Sequence, residues 1–125
     1  MKLLLDTHAF LWWLSDPAHL AAEARIAIAN PRHFVFVSAA SIIEIAIKQA
    51  SGKLKVSEHP EAMIGPCRFR ELPLKVAHAA ALRDLSPVHK DPFDRLLVAQ
   101  AKVEGMTLVS RDTILSQYDV PLLAA

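Results

Sequence analysis

The sequence alternates short apolar runs with longer helix-like segments from end to end, and this rhythm constrains the fold more than any other feature. Leu3-Leu4-Leu5 and Val35-Phe36-Val37 are apolar at consecutive positions, not at every second one. Strands of that kind are expected where helices cover both faces of a sheet, as in parallel α/β folds. The eight prolines (Pro17, Pro31, Pro60, Pro66, Pro73, Pro87, Pro92 and Pro121) can all be read as punctuation at or near the ends of segments.

The pattern predicts strands over 2–5, 33–37 and 107–110, weaker strands over 69–72 and 120–123, and helices over 7–15, 19–29, 38–51, 58–66, 75–85, 91–104 and 112–117. Asp91-Pro92 is a strong helix start, with Asp as N-cap and Pro at the first helical position. Gly52 and Gly105 mark two helix ends. The result is an α/β fold with a parallel sheet, and 125 residues suit a single domain over 1–125.

Composition narrows the setting. Hydrophobic residues make up 53% of the chain, enough to fill a core and leave apolar surface for a partner or a second copy. Fourteen Lys and Arg against thirteen Asp and Glu give a net charge of +1. A bound polyanion would therefore need a local basic patch, or acids neutralised by metal. Cys67 is the one cysteine, which excludes a disulfide framework and a multi-cysteine zinc site and fits a reduced, cytoplasmic location. The apolar run at the N-terminus is too short for a signal peptide, and no stretch approaches transmembrane length.

In an open parallel sheet, ligands bind outside the carboxyl ends of the strands. Asp6 follows the first strand directly, Asp112 lies just past the strand ending near Ser110, Glu44 is in the second turn of its helix, and Asp94 is in the first turn of its own. All four acids are thus expected near one edge. Each also has an ordinary reading. Asp6 and Asp112 suit helix caps, Asp94 suits the helix macrodipole, and Glu44 can pair with Lys48 four residues on. Glu44 resists its ordinary reading best, because the residues around it, Ile42-Ile43-Glu44-Ile45-Ala46, are apolar and burying an unpaired carboxylate is costly. Four close carboxylates must take up protons or a cation. Without a Cys/His ligand set, a hard ion such as Mg²⁺ or Mn²⁺ is favoured, and such an ion supports phosphodiester chemistry.

The segments Leu3-Leu4-Leu5-Asp6-Thr7-His8 with Phe10-Leu11-Trp12-Trp13, Val37-Ser38 through Glu44, His89-Lys90-Asp91-Pro92-Phe93-Asp94-Arg95-Leu96-Leu97-Val98-Ala99-Gln100-Ala101, and Leu108-Val109-Ser110-Arg111-Asp112 span the chain. In order and spacing this resembles PIN-domain ribonucleases, in particular the VapC toxin component of type II toxin–antitoxin pairs. The resemblance implies an α/β/α sandwich around four or five parallel strands, Mg²⁺ or Mn²⁺, endonucleolytic cleavage of RNA, a cognate antitoxin and a homodimer. It maps the family's acids onto Asp6, Glu44, Asp94 and Asp112 as metal ligands and catalytic groups, and its accompanying hydroxyl onto Ser110. The middle region, 53–74, matches loosely.

Other residues have lesser parts. Asp91 reads as an N-cap more than a ligand. His8 and His89 are read as hydrogen-bonded structural residues, with general base or ligand as the alternative. Thr7 is a candidate to orient Asp6 or a phosphate. Lys48, Lys90, Arg95 and Arg111 flank the acids and are candidates to meet RNA, with Lys53, Lys55, Arg68 and Arg70 as a broader patch. Phe10 to Leu14 are too continuously apolar for one helix face, so some of them are expected to meet an antitoxin or a second protomer. Three rivals stand beside the toxin reading: a housekeeping PIN nuclease, a non-catalytic RNA-binding module, and a phosphatase with an aspartyl nucleophile. The last wants a second Asp two residues after the first, where this chain has His8.

Overall fold

The structure is a computed structural model and describes residues 1–56 and 59–125. Five strands, β1 (Lys2–Leu5), β2 (Phe34–Ser38), β3 (Arg70–Leu72), β4 (Thr107–Ser110) and β5 (Leu122–Ala124), form one sheet in the order β3-β2-β1-β4-β5. Every pairing is parallel. The α-helices are α1 (Thr7–Ser15), α2 (Ala22–Ala29), α3 (Ala39–Ala50), α4 (Val76–Ala81) and α5 (Pro92–Glu104).

Alternation along β1 explains the three layers. Leu3 and Leu5 point to one face, where Phe10 and Leu11 of α1, Ile28 of α2 and Ile45 of α3 complete a core. Leu4 points to the other, against Leu97, Val98 and Ala101 of α5. All three leucines are fully buried, which is why the run is apolar at consecutive positions. The α/β/α sandwich and the parallel sheet are therefore as expected.

The chain moves outward from β1 through β2 to β3, then returns to the other side of β1 with β4. The strand order reverses between β1 and β4, and the carboxyl ends of strands at such a switch point form a natural crevice. Leu5 pairs with both Val37 and Val109, so the next residues, Ser38, Asp6 and Ser110, stand in one row along that edge.

Several predicted boundaries shift. The helix expected over 19–29 starts at Ala22, because Leu20 is extended and the Ala21 N–H donates to the Ala125 carbonyl, so Pro17–His19 is a separate 3₁₀ turn. The strand expected from His33 begins at Phe34, since His33 closes a turn through its N–H to the Asn30 carbonyl and its ring to the Ala27 carbonyl. Of the helix expected over 58–66, Glu58 lies outside the described residues, and the rest is a 3₁₀ turn, Pro60–Met63, ended by the turn at Gly65-Pro66. The segments over 75–85 and 112–117 tighten likewise, the first into α4 plus a 3₁₀ turn at Leu82–Asp84, the second into a 3₁₀ helix at Thr113–Gln117. The weak strands form as β3 and β5, each displaced by one or two residues. Among the described residues, no helix is long and apolar enough to cross a membrane.

Candidate metal centre and active site

Asp6 takes its place from two local rules. It ends β1, where its N–H still donates to the Val109 carbonyl at 3.0 Å, and it caps α1, with Oδ1 accepting from the Ala9 N–H at 2.8 Å. The carboxylate is buried, and burial raises its pKa despite hydrogen bonds from the Ser110 hydroxyl and the Ala9 N–H. The Ser110 oxygen also accepts the N–H of Asp112 at 3.1 Å, so one hydroxyl links two of the acids.

Glu44 is also buried, on the stripe of α3 that it shares with Ser41 and Lys48. Thr7 donates to its Oε1 at 2.7 Å, which ties α1 to α3. Lys48 reaches its Oε2 at 2.5 Å, so the expected pair four residues apart is present, yet the carboxylate is inside the protein. Ser41, fully buried one turn earlier, has a hydroxyl with no hydrogen-bond partner among the described residues.

Asp91 caps α5, accepting from the N–H groups of Phe93 at 2.8 Å and Asp94 at 3.4 Å. That cap sets Asp94 in the first turn, facing the edge. Burial, then the charge of Asp91, then those of Asp6 and Glu44, push the Asp94 pKa up to about 7, against the opposing pull of His89. Asp6, Glu44, Asp91 and Asp94 therefore share one electrostatic environment, and Lys48 feels three of them.

Asp112 caps the 3₁₀ segment after β4, its Oδ1 accepting from the Ile114 N–H at 3.0 Å. Burial works to raise its pKa, but the hydrogen bonds from His89 and Ile114 hold it below the usual carboxylate range. His89 links it to Asp94: Nε2 lies 2.6 Å from Asp112 Oδ2 and 3.3 Å from Asp94 Oδ2. The structure thus brings together Asp6, Glu44 and Asp94, and joins Asp112 to them through His89.

The arginines go elsewhere. Arg95 bonds the carbonyls of Ser86 and His89 and the Tyr118 hydroxyl, pinning the segment that carries His89. Arg111 stacks on Trp12 at 4.2 Å and bonds the carbonyls of Ala125 and His19. These contacts hold both side chains against the framework of the chain. Arg70 lies over Phe34, the first residue of β2, toward the amino end of the sheet and so away from the acids. Within the apolar run Phe10 to Leu14, some of which is expected to meet a partner, Trp12 and Trp13 have cover within the chain, from Arg111 and His19 and from Phe69.

The donor set fits a divalent cation. His89, Asp94 and Asp112 each offer an atom within 4.8 Å of the others, and the flanking donors are carboxylate oxygens. Burial, and after it the charges of Asp91, Asp6 and Glu44, raise the Asp94 pKa, and a cation at this edge would offset both. Oxygen-rich sites of this kind suit Mg²⁺ or Mn²⁺.

The PIN domain family model matches residues 3–121. The chain belongs to the PIN domain family. A curated relative, Ribonuclease VapC22 of Mycobacterium tuberculosis, is 28% identical over 129 residues, covering 95% of this chain and 93% of its own. Among solved structures, VapBC2 of Rickettsia felis bound to a DNA fragment from its promoter superposes with a TM-score of 0.75 at 14% identity, over 99% of this chain and 98% of that one. A toxin–antitoxin complex from Klebsiella pneumoniae gives a TM-score of 0.65 at 15% identity, over 97% and 95%. At these identities the superpositions establish the PIN fold.

Proposed function

We propose that this chain is a toxin-type endoribonuclease that hydrolyses RNA phosphodiester bonds with the help of Mg²⁺ or Mn²⁺, and that a cognate antitoxin protein silences it in the cytoplasm. The observation that carries this reading is the convergence of Asp6, Glu44, Asp94 and Asp112 on the switch point, with Asp94 held partly protonated near pH 7. Membership of the PIN family supports it, as does a relative named a ribonuclease. Solved toxin–antitoxin neighbours support the antitoxin. Exposed Ile26, Ile43, Ile47 and Val76 support a protein partner or a second copy.

In this reading Asp6, Asp94, Asp112 and Glu44 hold the ion. When bound, it supplies a Lewis acid and an activated water for attack on phosphorus. The chain supplies position. Thr7 fixes the rotamer of Glu44, Ser110 sets Asp6 relative to Asp112, and the α1 and α5 caps hold Asp6 and Asp94 at the edge. Buried Asp6 and Glu44 reduce the screening by bulk water of the charge that develops on the phosphate.

The test is to incubate purified chain with RNA and Mg²⁺ or Mn²⁺ and to determine the fragment ends. Hydrolysis by water predicts 5′-phosphate and 3′-hydroxyl ends, and no cleavage in EDTA. Cyclic 2′,3′-phosphate ends, or cleavage that persists in EDTA, would show that the acids act in some other way.

A further inference from the structure

His89, Asp94 and Asp112 can be read at first sight as three ligands of one ion, a nitrogen and two carboxylates. The hydrogen bonds around the ring argue otherwise. Nδ1 of His89 accepts the backbone N–H of Asp91 at 3.0 Å. A nitrogen that accepts an N–H carries no proton of its own, so the ring proton is on Nε2. That N–H is directed at Asp112 Oδ2, 2.6 Å away, with Asp94 Oδ2 at 3.3 Å. To ligate an ion, Nε2 would have to pass its proton to Nδ1, where it would face the Asp91 N–H donor to donor.

Ring and main chain are also held from several sides. The His89 N–H donates to the Tyr118 hydroxyl at 2.9 Å, and that hydroxyl donates to the Ser86 carbonyl at 3.0 Å. Arg95 bonds the Ser86 carbonyl and the same hydroxyl. The His89 side chain is only 12% exposed. A ring so fixed, with its N–H presented to one carboxylate and near a second, has the features of a spacer.

We propose that His89 is a positioning residue of the cation site: its Nε2–H holds Asp112 at a fixed distance from Asp94, and the imidazole is not itself a ligand. Asp94 belongs to α5 and Asp112 to the segment after β4, so the ring bridges two elements that must present their carboxylates together. Asp112 Oδ2 takes the ring N–H and Oδ1 takes the Ile114 N–H, which fixes the carboxylate plane and leaves its remaining lone pairs for the ion. This role rests on the cation site proposed above but not on the identity of the RNA.

Two variants of the full chain separate donor from ligand. The Gln amide nitrogen reaches about where Nε2 stands and can donate to Asp112. The Asn amide oxygen stands about where Nδ1 does, so it can accept from Asp91 but offers Asp112 nothing. Mn²⁺ and Mg²⁺ are each titrated calorimetrically into wild type, His89→Gln and His89→Asn, with thermal melts alongside. We expect His89→Asn to lose roughly 10–100-fold in Mn²⁺ affinity, the usual cost of losing a partner that orients a ligand, and His89→Gln to stay close to wild type. The ratio of Mn²⁺ to Mg²⁺ affinity should be the same in all three, since no ligand nitrogen is removed.

Equal binding by His89→Asn and wild type would overturn the positioning role. Loss in both variants, with a fall in the Mn²⁺ to Mg²⁺ ratio, would make the imidazole a ligand. Wild type that binds neither ion would overturn the cation site itself, and this role with it. If the melts show a variant unfolded, ¹⁵N NMR of the wild-type imidazole in saturating Mg²⁺ gives the answer: Nε2 that keeps its proton supports the spacer, and Nε2 that loses it overturns it.

Discussion

Replacing Asp94 by Asn is expected to stabilise the metal-free protein at pH 7 while abolishing cleavage. Burial and the neighbouring acids raise the Asp94 pKa from 3.8 to about 7, so the fold favours the protonated form. That form contributes stability fully present below pH 3.8 and lost as pH rises through about 7. Between those limits the wild-type, metal-free chain should weaken with rising pH, and Asp94→Asn should not. At ~1.4 kcal/mol per pKa unit the full shift is worth several kcal/mol. The side chain is 23% exposed, and relaxation around the ionised group reduces the effect further, to on the order of 2 kcal/mol. Thermal melts at pH 5 and pH 8 in EDTA check this, with the gap between the two proteins wider at pH 8 than at pH 5. Cleavage should fall by on the order of 10³-fold, as when a group that stabilises transition-state charge is removed. A residue that opposes folding at working pH but is required for activity is what a built cation site demands.

Asp6→Asn should fold as well as wild type and lose cleavage to a similar degree. The Asn oxygen can still accept the Ala9 N–H, so the α1 cap survives, and a buried negative charge is removed. Asp6→Ala loses the cap as well, and about 1 kcal/mol of stability with it. Comparing melts and RNA cleavage across the two variants separates the roles of one side chain. If Asp6→Asn cleaves RNA at the wild-type rate, Asp6 is only a cap.

The same pair of roles explains what the sequence could and could not reveal. Leu3-Leu4-Leu5 announced a strand covered on both faces, and Asp91-Pro92 marked the start of α5 to the residue, because these are local rules. For the acids, local rules pointed both ways. Asp6, Asp91 and Asp112 all do cap helical segments, as their ordinary readings required, and Glu44 does pair with Lys48. Capping and clustering coincide because helix starts at the carboxyl edge of a parallel sheet are also the walls of its crevice.

The part of His89 was hidden for a different reason. Its partners lie five residues on, in Asp94, and far along the chain, in Asp112, and only the return of the chain from β3 through α5 to β4 brings these together. Another buried network was equally invisible: fully buried His78 bonds Glu104 and Gln100, whose carbonyl oxygen accepts from Ser38, the α3 cap. Nothing in the spacing of those four residues signals that they meet. Between 53 and 74, turns at Pro60, Gly65 and Pro66 leave little periodicity to read.

The central claim is that the acids form a divalent cation site, and a calorimetric titration of Mn²⁺ into the metal-free chain at pH 7 tests it most directly. Run in two buffers of different ionisation heat, it counts protons as well as ions. We predict that wild type binds Mn²⁺ and releases protons from Asp94, whose pKa burial and neighbouring acids raise to about 7, and that Asp94→Asn binds far more weakly without that release. Equal Mn²⁺ binding by the two proteins, or no binding by wild type, would contradict the account.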